Sequence, residues 1–232
     1  MKLLLDSANL EQIERFMRTT AVAGVTTNPS LMAKEAKGEY LSKVVDIVMA
    51  VGRQSDCDNP KHLSVEVITL DPKEMVKQAV ELYEEKTSNI DFCIKIPCTH
   101  LDVITQLSRL DINVNATACM SSFQAKLAAD AGAAIVSFFY NRISDQRDVL
   151  VEKKEYYETN PLTVIDEFRK INSAGAQIIC GSIRQKNDVL NSWLHGVEYV
   201  TASPAIIEDM LKHPQTDKAI AQFQKDIDSW RS

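Results

Sequence analysis

The chain has 232 residues, 45% hydrophobic and 25% charged, a balance that suits a packed globular domain and excludes disordered and fibrous chains. Its 26 basic and 32 acidic side chains leave a net charge of −6 with no basic run longer than pairs such as Lys153-Lys154, so the electrostatic footprint of nucleic-acid binding is missing. Five cysteines, three of them in or beside apolar runs, fit reduced thiols; Asp6 ends the signal-like start Met1-Lys2-Leu3-Leu4-Leu5, no later run approaches a membrane span, and a soluble cytoplasmic protein is expected.

In chain order, short runs rich in Val and Ile alternate with longer stretches of helical spacing, the pattern of βα units and a parallel sheet. Strands are expected at Lys2–Leu5, Ala21–Val25, Leu63–Val67, Phe92–Ile96, Ile112–Asn115, Ala134–Phe138, Gln177–Cys180 and Tyr199–Thr201. Helices are expected near residues 9–18, 40–52, 72–86, 100–109, 120–131, 161–174, 186–195 and 203–212. Ser7 or Asn9, Asp71-Pro72 and Asn160-Pro161 supply helix starts, while Gly132, Gly175 and Gly196 fall where helices should stop. Eight strands with this cadence predict an α/β fold, a single (β/α)₈ TIM barrel spanning residues 1–232, although a doubly wound open sheet shares the pattern.

Two parts fall outside the cadence. Residues 143–160 read as a long charged loop or short helix after strand six, long enough for a flap. Residues 214–232 form a C-terminal helical extension, in which Ile220, Phe223 and Ile227 make an apolar face for the barrel or for a neighbouring subunit.

Lys95 is the anomaly of the chain, a charged amine inside the apolar run Phe92-Cys93-Ile94-Lys95-Ile96-Pro97. An ammonium kept from water must be paired, or it gives up its proton and becomes a nucleophilic amine suited to Schiff-base chemistry. The plainer alternatives are a gatekeeper on a sheet edge or a side chain that snorkels to solvent. Its company favours chemistry: Asp6, Thr26-Thr27-Asn28, Glu66, Asn115, Thr117, Ser137, Arg142, Ser182 and Arg184 all lie at or just past expected strand ends, where barrels build their sites. Any one alone would read as a helix cap or turn.

Within that ring, Asp6, Glu66 and Thr117 can place a water and shuttle protons. Arg142, Ser182 and Arg184 suit a substrate phosphate, which makes sugar phosphates the expected partners; either arginine alone could instead be a surface ion pair with Asp145, Asp148 or Asp188. The four histidines lack metal-ligand spacing, there is no C-x-x-C pair, no G-x-G-x-x-G and no P-loop, so no metal and no cofactor are expected.

The motifs Leu5-Asp6-Ser7-Ala8, Gly24-Val25-Thr26-Thr27-Asn28-Pro29-Ser30, Ile94-Lys95-Ile96-Pro97 and Ser182-Ile183-Arg184 resemble the transaldolase family across the whole chain. The chain is most similar to the short bacterial subfamily that also contains fructose-6-phosphate aldolases. That resemblance implies a Schiff-base lysine on strand four and homo-oligomers, pentamers or decamers, with terminal helices packed across subunits. It also implies hydroxyl-holding roles for Asn28, Asn115 and Ser137. Aldolases of the subfamily carry Gln and Tyr at two positions where this chain has Glu66 and Phe139, which implies transfer of a dihydroxyacetone unit in carbohydrate metabolism instead of its release. Phe138, Tyr140, Asn141 and Gly181 depart from the family pattern, and a one-residue slip would put Tyr140 in the aldolase-like place. A barrel that binds sugar phosphates without catalysis is the reading from another class.

Overall fold

The computed structural model describes residues 1–35, 37–145 and 158–231. Eight parallel strands hydrogen-bond in chain order into a closed barrel: β1 (Lys2–Asp6), β2 (Val22–Thr26), β3 (Lys61–Glu66), β4 (Ile90–Pro97), β5 (Val114–Cys119), β6 (Ile135–Phe139), β7 (Gln177–Gly181) and β8 (Tyr199–Ala202). The pairing of β8 back onto β1, with Leu3 opposite Val200 and Leu5 opposite Ala202, closes the barrel and excludes the open sheet. The fold is therefore the (β/α)₈ barrel with an added C-terminal helix.

The helices outside the strands are α1 (Leu10–Met17), the single turn α2 (Pro29–Met32), α3 (Tyr40–Gly52), α4 (Pro72–Glu84), α5 (Leu101–Ser108), α6 (Ser122–Asp130), α7 (described over residues 140–145), α8 (Pro161–Ile171), α9 (Lys186–Leu194), α10 (Pro204–Met210) and α11 (Pro214–Arg231). Their starts follow from local chemistry: Asn9 Oδ1 accepts from Gln12 N–H at 3.0 Å, Asp71 Oδ1 accepts from two amides of α4, and Asn160 Oδ1 accepts from Leu162 N–H at 3.0 Å. Gly132, just past α6, adopts φ 107°, a conformation that a side chain would strain.

Strand alternation separates two cores. Ile94, Ile96, Val65 and Phe138 turn outward to the helices, and Phe138 meets Phe168 of α8 edge-on at 5.6 Å. Each such fully buried side chain contributes roughly 1.5–3 kcal/mol. The opposite parity faces the axis, where Leu4, Cys93, Ile135, Ile179 and Tyr199 form an apolar plug low in the barrel. Above that plug most inward positions are polar, with Phe139 among them, and they make the site.

Three expectations are adjusted. The turn after β2 is helical, because Asn28 caps it by accepting from Leu31 N–H at 3.0 Å and Pro29 is preset for the first helical position. β5 runs on to Cys119, so Asn115 and Thr117 lie within it and not past its end; the ladder to β4, with Lys95 opposite Asn115 and Pro97 opposite Thr117, holds small residues of weak strand propensity in register. The terminal helix α11 buries none of its residues, so its apolar face does not rest on its own barrel. The flap expectation falls mostly on residues 146–157, outside the described residues.

Candidate active site

Lys95 occupies the inward parity of β4, flanked across the ladder by Glu66 of β3 and Asn115 of β5. It is 5% exposed, and its Nζ donates to the Thr27 carbonyl at 2.8 Å and sits 2.9 Å from Glu66 Oε2. A closed barrel has no edge to guard and this amine does not reach solvent, so the gatekeeper and snorkel explanations fall away. The charge problem posed by the sequence is met by pairing. Glu66 is itself braced, since its backbone carbonyl accepts from the Tyr40 phenol. Burial, and secondarily the Glu66 charge, push that phenol well above its ordinary range.

Asp6, at the end of β1, accepts from Thr26 Oγ1 at 2.9 Å. Thr26 has one hydroxyl hydrogen and gives it to Asp6, so across their 2.6 Å contact Thr201 must be the donor to Thr26. Burial raises the Asp6 carboxyl above the usual carboxylate range, against the opposing pull of Lys95 and the Thr26 hydrogen bond. Such a carboxyl is suited to exchange a proton during a reaction. Thr117 Oγ1 is buried without a hydrogen-bond partner among the described residues, so it can orient a water or substrate hydroxyl.

These groups line one cavity of about 440 Å³ at the C-terminal mouth of the barrel. Of the residues singled out from the sequence, Asp6, Thr26, Asn28, Glu66, Lys95, Asn115, Thr117, Ser137, Phe139, Arg142 and Ser182 all line it. Asn115 and Ser137 are joined, with Ser137 Oγ donating to Asn115 Oδ1 at 2.7 Å. Asn28 Oδ1 is used by its helix cap, so its amide hydrogens are what it can offer a substrate. The Arg142 guanidinium lies 5.3 Å from the Phe139 ring centre, a cation–π arrangement that holds it over the cavity.

Arg184 is placed differently. Its guanidinium forks onto Asp145, more than half exposed, and it does not line the cavity. The Arg184 charge holds the Asp145 carboxyl below its ordinary range, as the surface-pair alternative anticipated.

Tyr140 points away from the cavity. It is buried, hydrogen-bonded to Asn191 of α9, and its phenol is raised by that burial. Phe139 ends β6 on the inward parity of Ile135 and Ser137 and faces Lys95's pocket, while Tyr140 opens α7 and turns away.

Reading strand ends missed several contributors. Thr201 belongs to a four-residue strand too short to show its alternation. Ala118 was not singled out, and it lines the cavity in the left-handed conformation at φ 61°, as does the expected Ser182 at 57°, strain that no propensity reveals. At the opposite end of the barrel His62, Asp91 and Cys93 bring ligand-type atoms within 4.8 Å of one another, although no sequence spacing suggested a cluster.

Residues 3–231 match the family described as transaldolase/fructose-6-phosphate aldolase. The chain is 38% identical over 233 residues to a protein of Clostridioides difficile (strain 630) named probable transaldolase, covering 97% of this chain and 96% of that one. It is 35% identical over 231 residues to a probable transaldolase of Clostridium tetani (strain Massachusetts / E88), covering 99% of both. A probable transaldolase of Dehalococcoides mccartyi is 34% identical over 243 residues, covering 100% of this chain and 99% of that one. With the family matched almost end to end and the lysine, its acid partner and the polar ring assembled in one barrel mouth, the chain belongs to the transaldolase/fructose-6-phosphate aldolase family.

Proposed function

We propose that this protein is a transaldolase, moving a dihydroxyacetone unit from sedoheptulose 7-phosphate to glyceraldehyde 3-phosphate to give erythrose 4-phosphate and fructose 6-phosphate. Lys95 passes a proton to Glu66 across their 2.9 Å contact and attacks the C2 ketone as a neutral amine. Loss of water, assisted by Glu66 and a water held by Thr117, gives the imine. Asp6 takes the proton of the C4 hydroxyl, the C3–C4 bond breaks, its electrons enter the imine, and the aldose phosphate leaves. The resulting enamine attacks a second aldehyde, Asp6 returns the proton, and hydrolysis frees Lys95.

Asn28, Asn115 and Ser137 hold the hydroxyls of the three-carbon unit, while Arg142 and Ser182 receive the phosphate from the open side. Arg184 joins them only by exchanging Asp145 for substrate oxygens. The exposed Ile220, Phe223, Ile227 and Trp230 of α11 support assembly with further copies of the chain.

The observation that carries transfer over release is that Phe139 lines the pocket while Tyr140 is turned to α9. Among the described residues no phenol lines the pocket, and an enamine without that aid to protonation and hydrolysis waits for an aldehyde. Enzyme mixed with fructose 6-phosphate and erythrose 4-phosphate is expected to form glyceraldehyde 3-phosphate over many turnovers, and almost none without the acceptor. Rapid release of free dihydroxyacetone in the acceptor-free mixture would instead identify a fructose-6-phosphate aldolase.

A further inference from the structure

Below the active site, the barrel axis carries an unbroken chain of polar side chains. Asp91, on the half-exposed lower rim, lies 2.9 Å from His62 Nδ1, and His62 Nε2 lies 2.7 Å from Ser64 Oγ. Asn115 Nδ2 donates to Ser64 Oγ at 3.1 Å, and Ser137 Oγ donates to Asn115 Oδ1 at 2.7 Å. His62, Ser64, Asn115 and Ser137 are all buried, in a place where a barrel of this kind ordinarily packs aliphatic side chains. Resting on the Schiff-base reading of Lys95, we propose that His62, oriented by Asp91, is a positioning residue that fixes through Ser64 the rotamer and hydrogen-bond polarity of Asn115 and Ser137 beneath the three-carbon unit.

The direction of every bond follows from the ends. The His62 hydrogen bond holds the Asp91 carboxyl below its ordinary range, so Asp91 is ionised and only accepts, and Nδ1 carries the hydrogen. Ser64 Oγ already accepts from Asn115 Nδ2, so its own hydrogen needs an acceptor and finds it at His62 Nε2, while Asn115 Oδ1 accepts from Ser137. All donors point toward Asp91. The pocket therefore meets the second amide hydrogen of Asn115 as a donor and the Ser137 oxygen as an acceptor. A protonated ring would donate at both nitrogens and strip the Ser64 hydrogen of its acceptor.

Among the described residues, the other groups facing His62 do not offer a competing partner. The Tyr199 ring of β8 packs on it at 5.3 Å, with Lys2 of β1 over the far ring at 5.9 Å. Cys93 of β4 is a thiol that burial keeps protonated, which also argues against reading the three converging groups as a metal site.

Two measurements on the full chain test the proposal. Nitrogen-15 NMR of labelled histidine, with His62 assigned by its loss in His62→Leu, is expected to show the Nδ1–H tautomer; an Nε2–H tautomer overturns the chain. The rate at which borohydride with dihydroxyacetone fixes Lys95 is then compared in His62→Leu, Ser64→Ala and the double variant. Each single change is expected to slow trapping about a hundredfold through misplacement of the subsite, and the double variant by about the same hundredfold. Losses that multiply to about ten-thousandfold, or singles that trap at the wild-type rate, would show separate packing roles and overturn it. Should His62→Leu not fold, Asp91→Ala at the rim is decisive: it must slow trapping, and an unchanged rate refutes the chain. Absent transfer to erythrose 4-phosphate, with normal trapping, would count against the transaldolase reading alone.

Discussion

Asp6 is a single residue held at odds with stability. Its carboxyl is raised because burial penalises the charged form more than Lys95 and Thr26 relieve it. The sign follows: folded Asp6 releases its proton at higher pH than unfolded Asp6, so the folded state loses stability as pH rises from the ordinary carboxylate range through the raised folded value. Asp6→Asn removes that penalty. It is expected to raise the midpoint of thermal unfolding at neutral pH, with the gain vanishing in acid, while turnover falls by roughly 10²–10⁴ as for loss of a general base. Calorimetry at two pH values checks the first part, and a coupled transfer assay the second.

At the scale of elements, the close approach of β2 and β3 is set by Gly24, where an added Cβ would stand 2.1 Å from the His62 carbonyl oxygen. Gly24→Ala is expected to cost about 3 kcal/mol or to prevent folding, whereas Gly38→Ala, which meets nothing within 4 Å, should be neutral in denaturant unfolding. Most of the architecture was legible in the sequence because helix and strand periods alternate, Asn and Asp caps open α1, α4 and α8, and glycines close several helices. Lys95 and Glu66 were legible too, since a charge in an apolar strand advertises itself. Phe139 against Tyr140 needed the point where β6 gives way to α7 to be seen, and the fork of Arg184 onto Asp145 depends on which anion is nearest, something charge alone does not encode. The axial chain escaped because His62 and Asp91 sit at the starts of their strands, the end from which barrels rarely work.

At the scale of the whole molecule, α11 stands out because none of its residues is buried. An 18-residue helix with Ile220, Phe223 and Trp230 each more than half exposed is poorly stabilised alone in water. Removal of residues 214–232 is expected to lower the particle mass in light scattering to a smaller assembly or the monomer; an unchanged mass would show that this face does not join copies. Among the described residues no helix is long and apolar enough to cross a membrane. At the barrel mouth a buried lysine is paired with a carboxylate in a cavity of about 440 Å³. The proposed chemistry stands or falls on that amine. Borohydride added with fructose 6-phosphate should leave a three-carbon, dihydroxyacetone-derived adduct on the peptide carrying Lys95, and mass spectrometry that finds Lys95 unmodified would contradict it.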